Sequence, residues 1–255
     1  MTVKVGVLFT SGTNCDEETI YAFRLVGAQA ERIYLTELKR NPKILQRYQI
    51  LCLPGGFTYG DYLHAGKILA NTLKVLLKDA LLDFYNQGKL ILGICNGFQV
   101  LVKAGLLPDF SFIEKASLVT NDSNRFECRW VYLKVNSYSP CVFTKGLDFF
   151  TLPVAHAEGK FVVDNPTTLD KIVKENLMVL QYTDEKGEFH GYPYNPNGSV
   201  NNIAGICDHT GRIFGLMPHP ERASLLYQYP FSMRPTEPFG VFIFKNAIRY
   251  VQKNL

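Results

Sequence analysis

An apolar run that leads into a cysteine between two glycines is the feature that most constrains how this chain folds. Residues 89–99 read Lys-Leu-Ile-Leu-Gly-Ile-Cys-Asn-Gly-Phe-Gln, and an apolar segment at 98–107 can form a helix. This order predicts a sharp strand-to-helix turn, which needs small neighbours such as Gly93 and Gly97. The positive end of the helix favours a thiolate there. We predict that Cys95 is a nucleophile on an elbow, the alternative being a core cysteine beside a tight turn.

The residues before Cys95 alternate between strand and helix patterns. Apolar runs at 3–9, 30–35 and 50–53 are typical of buried strands, and helical spacing occurs at 16–26 and 67–87. Strands that alternate with helices form parallel sheets covered by helices. The first half of the chain therefore predicts an α/β fold.

The residues after position 107 have more strand patterns, separated by turn residues. We predict strands at 116–120, 125–135 and 149–155, a hairpin of 203–207 with 213–217, and helices at 168–177 and 240–254. This pattern of short strands and turns indicates a β-rich insertion or a mixed edge of the sheet. No linker or repeat interrupts the 255 residues, so we expect a single domain, 1–255.

Composition excludes several classes of function. The net charge of +4 is spread without a dense basic run, which argues against nucleic-acid or membrane-surface binding. The six cysteines show no CxxC pair or zinc-type spacing, so we expect no metal site. The N-terminal apolar run is too short for a signal segment, and no run approaches a membrane span. We therefore expect a cytoplasmic protein.

A candidate base for the cysteine lies in a second segment, which follows a predicted strand. His219 and Glu221 are two residues apart in a stretch held extended by Pro218 and Pro220, so their side chains leave the backbone on the same side. The imidazole can then meet a thiol while the carboxylate orients it, as in nucleophile-base-acid triads. The alternative is that His219 packs at a strand end while Glu221 pairs with Arg222.

A glycine pair follows the predicted strand at 50–53. Gly55 and Gly56 lie at its carboxyl end, where backbone N–H groups can point into the crevice of an α/β sheet. An N–H of this loop and that of Asn96 could form an oxyanion hole, in which one donor contributes about 3 kcal/mol. The alternative is an ordinary strand-exit turn. The sequence has no phosphate-binding glycine loop.

Together these motifs resemble the triad-type (class I) glutamine amidotransferases. The resemblance implies a flavodoxin-like, mostly parallel sheet flanked by helices, with additional β-strands. It further implies that Cys95 attacks the amide of glutamine, His219 transfers the proton and Glu221 orients His219. We carry over two further sets of residues. The oxyanion donors are Gly56 or Phe57 together with Asn96, and the glutamine-binding residues are Gly55, Gln99 and His156.

Further segments resemble the branch of this family that serves purine synthesis. They are the Gly-Gly-Phe-Thr-Tyr-Gly-Asp turn at 55–61, residues 153–159, Asn-Gly-Ser at 197–199 and residues 217–222. The resemblance implies that the chain needs no cofactor of its own. It implies a partner, an ATP- and Mg-dependent synthetase subunit that makes formylglycinamidine ribonucleotide, with a small bridging subunit. We expect low activity in the absence of that partner.

Three other functions stay open on the sequence. The chain could be the glutaminase of another pathway, such as histidine or vitamin B6 synthesis. It could be a catalytically silent module that regulates a synthetase, although an intact Cys95, His219 and Glu221 argues against this. It could also be a thiol hydrolase or peptidase on a similar fold, which predicts turnover of peptides or esters.

Overall fold

A computed structural model describes residues 2–255 of the chain. The strands are β1 (Lys4–Phe9), β2 (Gln29–Tyr34), β3 (Ile50–Leu53), β4 (Leu90–Ile94), β5 (Ala116–Val119), β6 (Glu127–Val135), β7 (Phe149–His156), β8 (Lys160–Val163), β9 (Met178–Thr183), β10 (Ile203–Cys207) and β11 (Ile213–Leu216). The helices are α1 (Asp16–Leu25), α2 (Leu35–Arg40), α3 (Lys67–Leu76), α4 (Lys78–Asn86), α5 (Asn96–Lys103), α6 (Pro166–Lys174) and α7 (Gly240–Asn254).

Nine of the described strands form one sheet with two different halves. The sheet order is β2-β1-β3-β4-β11-β10-β9-β6-β7, while β5 and β8 form a separate antiparallel pair. Pairings from β2 to β11 are parallel, and those from β11 to β7 are antiparallel. The parallel half has the strand order of flavodoxin-like folds, which bind ligands beyond the carboxyl ends of the strands. The predicted α/β class is confirmed, and the β-rich second part of the chain extends the same sheet.

Helices cover the parallel half on both faces. Every residue of β3 and β4 is buried, and because alternate residues point to opposite faces, neither face meets water. Helices α1 and α7 pack together through Phe23 and Phe244, whose rings meet edge to face at 4.8 Å. Helix α5, which follows β4, packs against α3 and against the sheet. This rigid layer positions the loops at the strand ends.

The structure corrects some predicted boundaries. The helix expected at 67–87 is two helices, α3 and α4, because the backbone leaves helical geometry at Leu77, with φ −120° and ψ 9°. The segment after Cys95 is helical from Asn96 to Lys103 and not to residue 107. Strands β8 and β9 have no counterpart in the sequence prediction. Their short mixed patterns gain strand geometry from their neighbours β5, β6 and β10.

The antiparallel half curls back onto the parallel half at its edge strand, β7. The backbone N–H of His219, after β11, donates to the carbonyl of Pro153 on β7 at 2.8 Å. The carbonyl of Ala155 lies 3.8 Å from Sγ of Cys95. The end of β7 therefore forms one wall above the carboxyl ends of the parallel strands. In residues 2–255, none of the helices combines the length and the apolar character that a bilayer crossing needs.

Candidate active site

Cys95 lies on the predicted turn between β4 and α5. Its backbone has φ 51° and ψ −106°, a strained conformation for a residue with a side chain. The turn is held because the Cys95 N–H donates to the carbonyl of Leu216 at 2.8 Å. A Cβ added to Gly97 would lie 1.9 Å from the carbonyl oxygen of Leu53, so no side chain fits there. Gly93 and Gly97 are needed because the backbone at the start of α5 packs directly against the backbone at the strand ends.

His219 and Glu221 form a buried pair next to this turn. Nδ1 of His219 lies 2.6 Å from Oε1 of Glu221, and both side chains are shielded from solvent. Burial by itself would lower the pKa of His219. The charge of Glu221, followed by the nearby thiols, nevertheless raises that pKa well above its ordinary value. Glu221 therefore makes His219 a stronger base, because the carboxylate stabilises the positive charge that the imidazole gains when it accepts a proton.

The structure brings Cys95 and His219 together. The Cys95 side chain is close enough to His219 to raise its pKa both by charge and by hydrogen bonding. Nε2 of His219 is buried and has no hydrogen-bond partner of good geometry within residues 2–255. Catalytic hydrogen bonds are often long before substrate binds. The two segments that the sequence placed after separate strands thus meet at one point.

Cys15 is a second thiol at this site, which the sequence analysis did not single out. Sγ of Cys15 accepts a hydrogen bond from the Arg222 guanidinium at 3.1 Å, and it contacts the His219 imidazole. Burial raises the pKa of the Cys15 thiol, so it stays protonated. A usable signal was its position just after β1, at the same edge of the sheet as Cys95.

Two groups of side chains have donor atoms close enough to hold a metal ion. Cys15, His219 and Glu221 have ligand atoms within 4.8 Å of one another, and Asp184, Glu188 and His190 form a second, more exposed group. The possible ligand atoms of the first group already bind other side chains. Arg222 donates to Cys15, and Glu221 binds the His219 imidazole. A further cation there would be repelled by the guanidinium.

The two predicted oxyanion donors in the loop after β3 differ in whether their N–H group is free. The Phe57 N–H donates to the carbonyl of Gly12 at 2.8 Å, so it is not available to an oxyanion in this conformation. The Gly56 N–H has no acceptor within residues 2–255. The Asn96 N–H is one of the unpaired donors at the start of α5. Of the two predicted alternatives in the loop, Gly56 has the free amide.

Gly55 lies directly against the histidine. A Cβ added there would approach Cε1 of His219 to 2.9 Å and Sγ of Cys15 to 3.0 Å. Its carbonyl accepts hydrogen bonds from the N–H groups of Asn14 and Cys15 at 3.4 and 3.2 Å. Gly55 thus joins the loop after β1 to the site, a structural task in addition to the predicted contact with glutamine.

Gln99 lies one turn after Cys95 and is buried. Its Nε2 donates to the carbonyl of Glu158 at 2.6 Å, and its Oε1 accepts from Asn96 Nδ2 at 2.9 Å. Asn96 Oδ1 in turn accepts from the hydroxyl of Thr58 at 2.7 Å. The Gln99 amide is therefore oriented, with a lone pair of Oε1 left for a ligand.

His156 is the last residue of β7, the strand that forms one wall of the site. It is buried, and its Nδ1 lies 3.2 Å from Oδ1 of Asn121. Burial and, next, the positive charge of His219 lower the pKa of His156 to about 4. The site therefore contains two buried histidines close to each other, of which His156 is neutral at physiological pH.

Comparison with known proteins shows the family to which this chain belongs. The CobB/CobQ-like glutamine amidotransferase domain matches residues 2–251, and the chain therefore belongs to the glutamine amidotransferases. Subunit PurQ of phosphoribosylformylglycinamidine synthase from Dehalococcoides mccartyi is 46% identical, with 98% of each chain covered. PurQ from Archaeoglobus fulgidus is 43% identical with the same coverage. Within the family, the chain belongs to the PurQ subunits.

A solved structure supports the same assignment. The structure of PurLQS from Thermotoga maritima contains a chain that superimposes with a TM-score of 0.75 at 31% identity. The match covers 98% of this chain and 100% of that one. The predicted glutamine amidotransferase fold is thus confirmed, including the antiparallel extension.

Proposed function

We propose that this chain hydrolyses glutamine to glutamate and ammonia, and that it supplies the ammonia to a synthetase subunit. The observation that carries the proposal is the buried His219–Glu221 pair beside Cys95, which itself lies on a strained strand-to-helix turn. A thiol, a base and an orienting carboxylate in contact are the parts that amide cleavage through a thioester needs. One glutamine amidotransferase domain, 1–255, is our proposal for the whole chain, supported by the continuous sheet.

The first half of the reaction forms a thioester. His219 accepts the Cys95 proton through Nε2, since Nδ1 faces Glu221. The thiolate sulfur attacks the carboxamide carbon of glutamine, and the carbonyl electrons move onto oxygen. The N–H groups of Gly56 and Asn96 stabilise this oxyanion. When the carbonyl forms again, the C–N bond breaks, the nitrogen takes the proton from His219, and ammonia leaves.

The second half returns the enzyme to its starting state. Water attacks the thioester carbon while His219 accepts a proton from it, and the same backbone donors stabilise the second oxyanion. Collapse of this intermediate releases glutamate, and the Cys95 sulfur regains its proton. Gln99, one turn after Cys95 on α5, and His156, at the end of β7, hold the glutamine during both steps.

We propose that the ammonia is used by a separate ATP- and Mg-dependent subunit that makes formylglycinamidine ribonucleotide, and that a small subunit bridges the two. The related Thermotoga maritima structure is that of a PurLQS assembly, which supports a complex with partners of this kind. Our chain has no glycine loop for a nucleotide in its sequence and needs no cofactor for the thioester steps. We place the activity in the cytoplasm, where a catalytic thiol stays reduced.

The decisive experiment uses Cys95→Ala in the reconstituted complex. With glutamine as nitrogen donor, synthesis should fall to background, whereas synthesis with free ammonium should stay at the wild-type rate. A glutamine-mimicking electrophile should label wild type and Cys128→Ala, which removes an exposed cysteine, but not Cys95→Ala. Loss of both glutamine- and ammonium-dependent synthesis would show that Cys95 serves the fold, and it would overturn the proposal.

We also propose that the partner increases the glutaminase activity, because an isolated glutaminase would waste glutamine. Glutamate release by the isolated chain should be slow and should rise when the synthetase subunit is added. Equal rates with and without that subunit would contradict this part of the proposal.

A further inference from the structure

Three hydrogen bonds define which way the side-chain amide of Asn121 points. Its Nδ2 donates to the carbonyls of Arg125 and His156, each at 2.9 Å. Its Oδ1 accepts from the backbone N–H of Gly159 at 2.9 Å. Turning the amide over would place oxygen against two carbonyls and nitrogen against an N–H group. The orientation of Asn121 is therefore unambiguous.

The orientation of Asn121 decides the tautomer of His156. Nδ1 of His156 faces the same Asn121 oxygen at 3.2 Å, and an oxygen there can only accept a hydrogen bond. Nδ1 must therefore carry the proton. A neutral imidazole has one N–H and one lone pair, so the lone pair is on Nε2. The low pKa of His156, about 4, keeps the ring neutral at physiological pH.

The lone pair on Nε2 has no donor within the protein. This atom is buried, and no side chain or backbone group of residues 2–255 makes a hydrogen bond to it. A buried acceptor without a partner costs about 1 to 3 kcal/mol, so a native site usually supplies one from a ligand or from water. A donor in a ligand would satisfy it.

The position of His156 indicates which ligand. The ring is close enough to His219 for the charge of that residue to lower its pKa, and the carbonyl of its neighbour Ala155 lies 3.8 Å from Cys95 Sγ. The ring is therefore next to the place where glutamine must bind to be attacked. The hydrogen-bond donors of glutamine are its α-ammonium group and its carboxamide nitrogen.

We propose that Asn121 is a positioning residue that holds His156 as the Nδ1–H tautomer, so that His156 Nε2 accepts a hydrogen bond from an N–H group of bound glutamine. This inference rests on the proposed function. The N–H group is either the α-ammonium or the nitrogen that leaves as ammonia. This hydrogen bond is more specific than a general contact with glutamine, because His156 Nε2 is the atom that accepts it and Asn121 enforces that role.

Two substitutions of His156 separate its two nitrogen atoms. In His156→Asn the amide is near the former Nδ1 and can still bind Asn121, but nothing occupies the place of Nε2. In His156→Gln the amide oxygen reaches the place of Nε2 and can accept a hydrogen bond. We expect His156→Asn to lower kcat/KM for glutamine by about ten- to a hundredfold and His156→Gln by less than about fivefold.

A second substrate distinguishes the two possible N–H groups. Glutaramate (5-amino-5-oxopentanoate) has the carboxamide of glutamine but no α-ammonium. If His156 binds the α-ammonium, His156→Asn should raise KM for glutamine and leave turnover of glutaramate unchanged. If it binds the departing nitrogen, kcat should fall equally for both substrates. Wild-type kcat/KM in His156→Asn with both substrates, or equal losses in the Asn and Gln variants, would overturn the inference.

Two controls separate a folding defect from a binding defect. Thr151 is on the same strand, and its buried hydroxyl also lacks a partner, so Thr151→Val should keep wild-type activity. Ammonium-dependent synthesis by the complex should be unchanged in all variants. If the reconstituted wild-type complex releases no glutamate, the proposed function fails. If that complex is active and the His156→Asn complex equals it, only this inference fails.

The role of Asn121 has a spectroscopic test that does not depend on activity. Nitrogen NMR of the ¹⁵N-histidine-labelled protein should show His156 as the Nδ1–H tautomer. Asn121→Ala should shift it to a mixture of tautomers and lower kcat/KM for glutamine. An Nε2–H tautomer in the wild-type protein would contradict the proposal directly.

Discussion

The parallel and antiparallel halves of the sheet each contribute one buried histidine to the same site, and the two histidines have opposite properties. His219 follows β11 and faces a carboxylate, whereas His156 ends β7 and faces an amide. The pKa of His219 is raised well above its ordinary value, and that of His156 is lowered to about 4. Since both rings are buried, the charge of the neighbouring groups decides which histidine is the stronger base.

This difference assigns separate tasks to the two halves. The parallel half supplies the groups that change charge during the proposed reaction, Cys95 after β4 and His219 after β11. The antiparallel half supplies neutral groups whose hydrogen-bonding directions are set by a network around Asn121. A site that transfers protons at one residue and binds substrate through an uncharged residue at another needs both environments.

The largest effect should come from replacing the carboxylate beside His219 with an amide, the kind of group that faces His156. In Glu221→Gln the amide keeps the shape of the carboxylate but removes the charge that raises the pKa of His219. We expect kcat for glutamine hydrolysis to fall by about 10³ to 10⁴. Glu18→Gln, which removes a carboxylate 3.5 Å from Arg222 but none from His219, is the matched control. Steady-state assays of both variants check this, and a loss below tenfold in Glu221→Gln would show that the charge is dispensable.

The two halves should also differ in how they tolerate a small side chain. Gly97→Ala places a methyl group 1.9 Å from a backbone oxygen of β3, which cannot move aside, and we expect it to destabilise the fold by about 3 kcal/mol or more. Gly191→Ala, in the antiparallel half, meets no atom within 4 Å and should be nearly neutral. Urea unfolding of both variants measures the difference. Equal stabilities would show that the elbow is less rigid than its geometry indicates.

His156 should make stability depend on pH in the acidic range. Its folded pKa is about 4, below the value of 6.5 for an exposed histidine, so between these values the unfolded chain binds a proton that the native state does not. The contribution of His156 is therefore complete above pH 6.5 and is lost as the pH falls towards 4, by up to about 3 kcal/mol.

The measurement compares unfolding free energies of wild type and His156→Gln between about pH 4 and pH 7. The difference between the two curves should shrink with falling pH. The contribution of His219 to stability depends on pH in the opposite direction. Because its folded pKa is raised, this contribution is complete at low pH and is lost as the pH rises through the folded pKa. Parallel curves for wild type and His156→Gln would contradict a lowered pKa of His156.

The smallest effect should come from replacing the amide beside His156 with a carboxylate, the kind of group that faces His219. Asn121→Asp places a carboxylate next to Nδ1, and it should raise the pKa of His156 and lower kcat/KM for glutamine at neutral pH by about tenfold. Proton NMR titration of the histidine Cε1–H signals measures the pKa. Asn124→Asp adds the same charge at an exposed position of the same turn and serves as the control. An unchanged pKa in Asn121→Asp would show that burial alone keeps His156 neutral.

Much of the parallel half could be predicted from local sequence patterns. Strands β1, β3 and β4 and helices α1 and α7 lie within one or two residues of their predicted positions, because continuous apolar runs and helical periodicity are strong local signals. The turn at Cys95 was also predictable, since glycines on both sides of a cysteine at a strand end are typical of a sharp turn into a helix. In the antiparallel half, β6, β7 and β10 also lie within two residues of their predicted positions. Strand β9 and the separate strand β8 were missed, because their short mixed patterns depend on the neighbouring strands β5, β6 and β10.

The sequence by itself determined the α/β class, the elbow at Cys95 and the His219-Glu221 pair, because each depends on residues close together in the chain. Only the tertiary structure decided that Cys15 and Arg222 lie beside His219, that the Phe57 N–H is bound to Gly12, and that Asn121 orients His156. These contacts join residues 35 to 207 positions apart. The first two form where the loops after β1, β3 and β11 meet at the carboxyl ends of the parallel strands, and the third forms at the end of β7, which lies over those ends. No local pattern records which strands become neighbours.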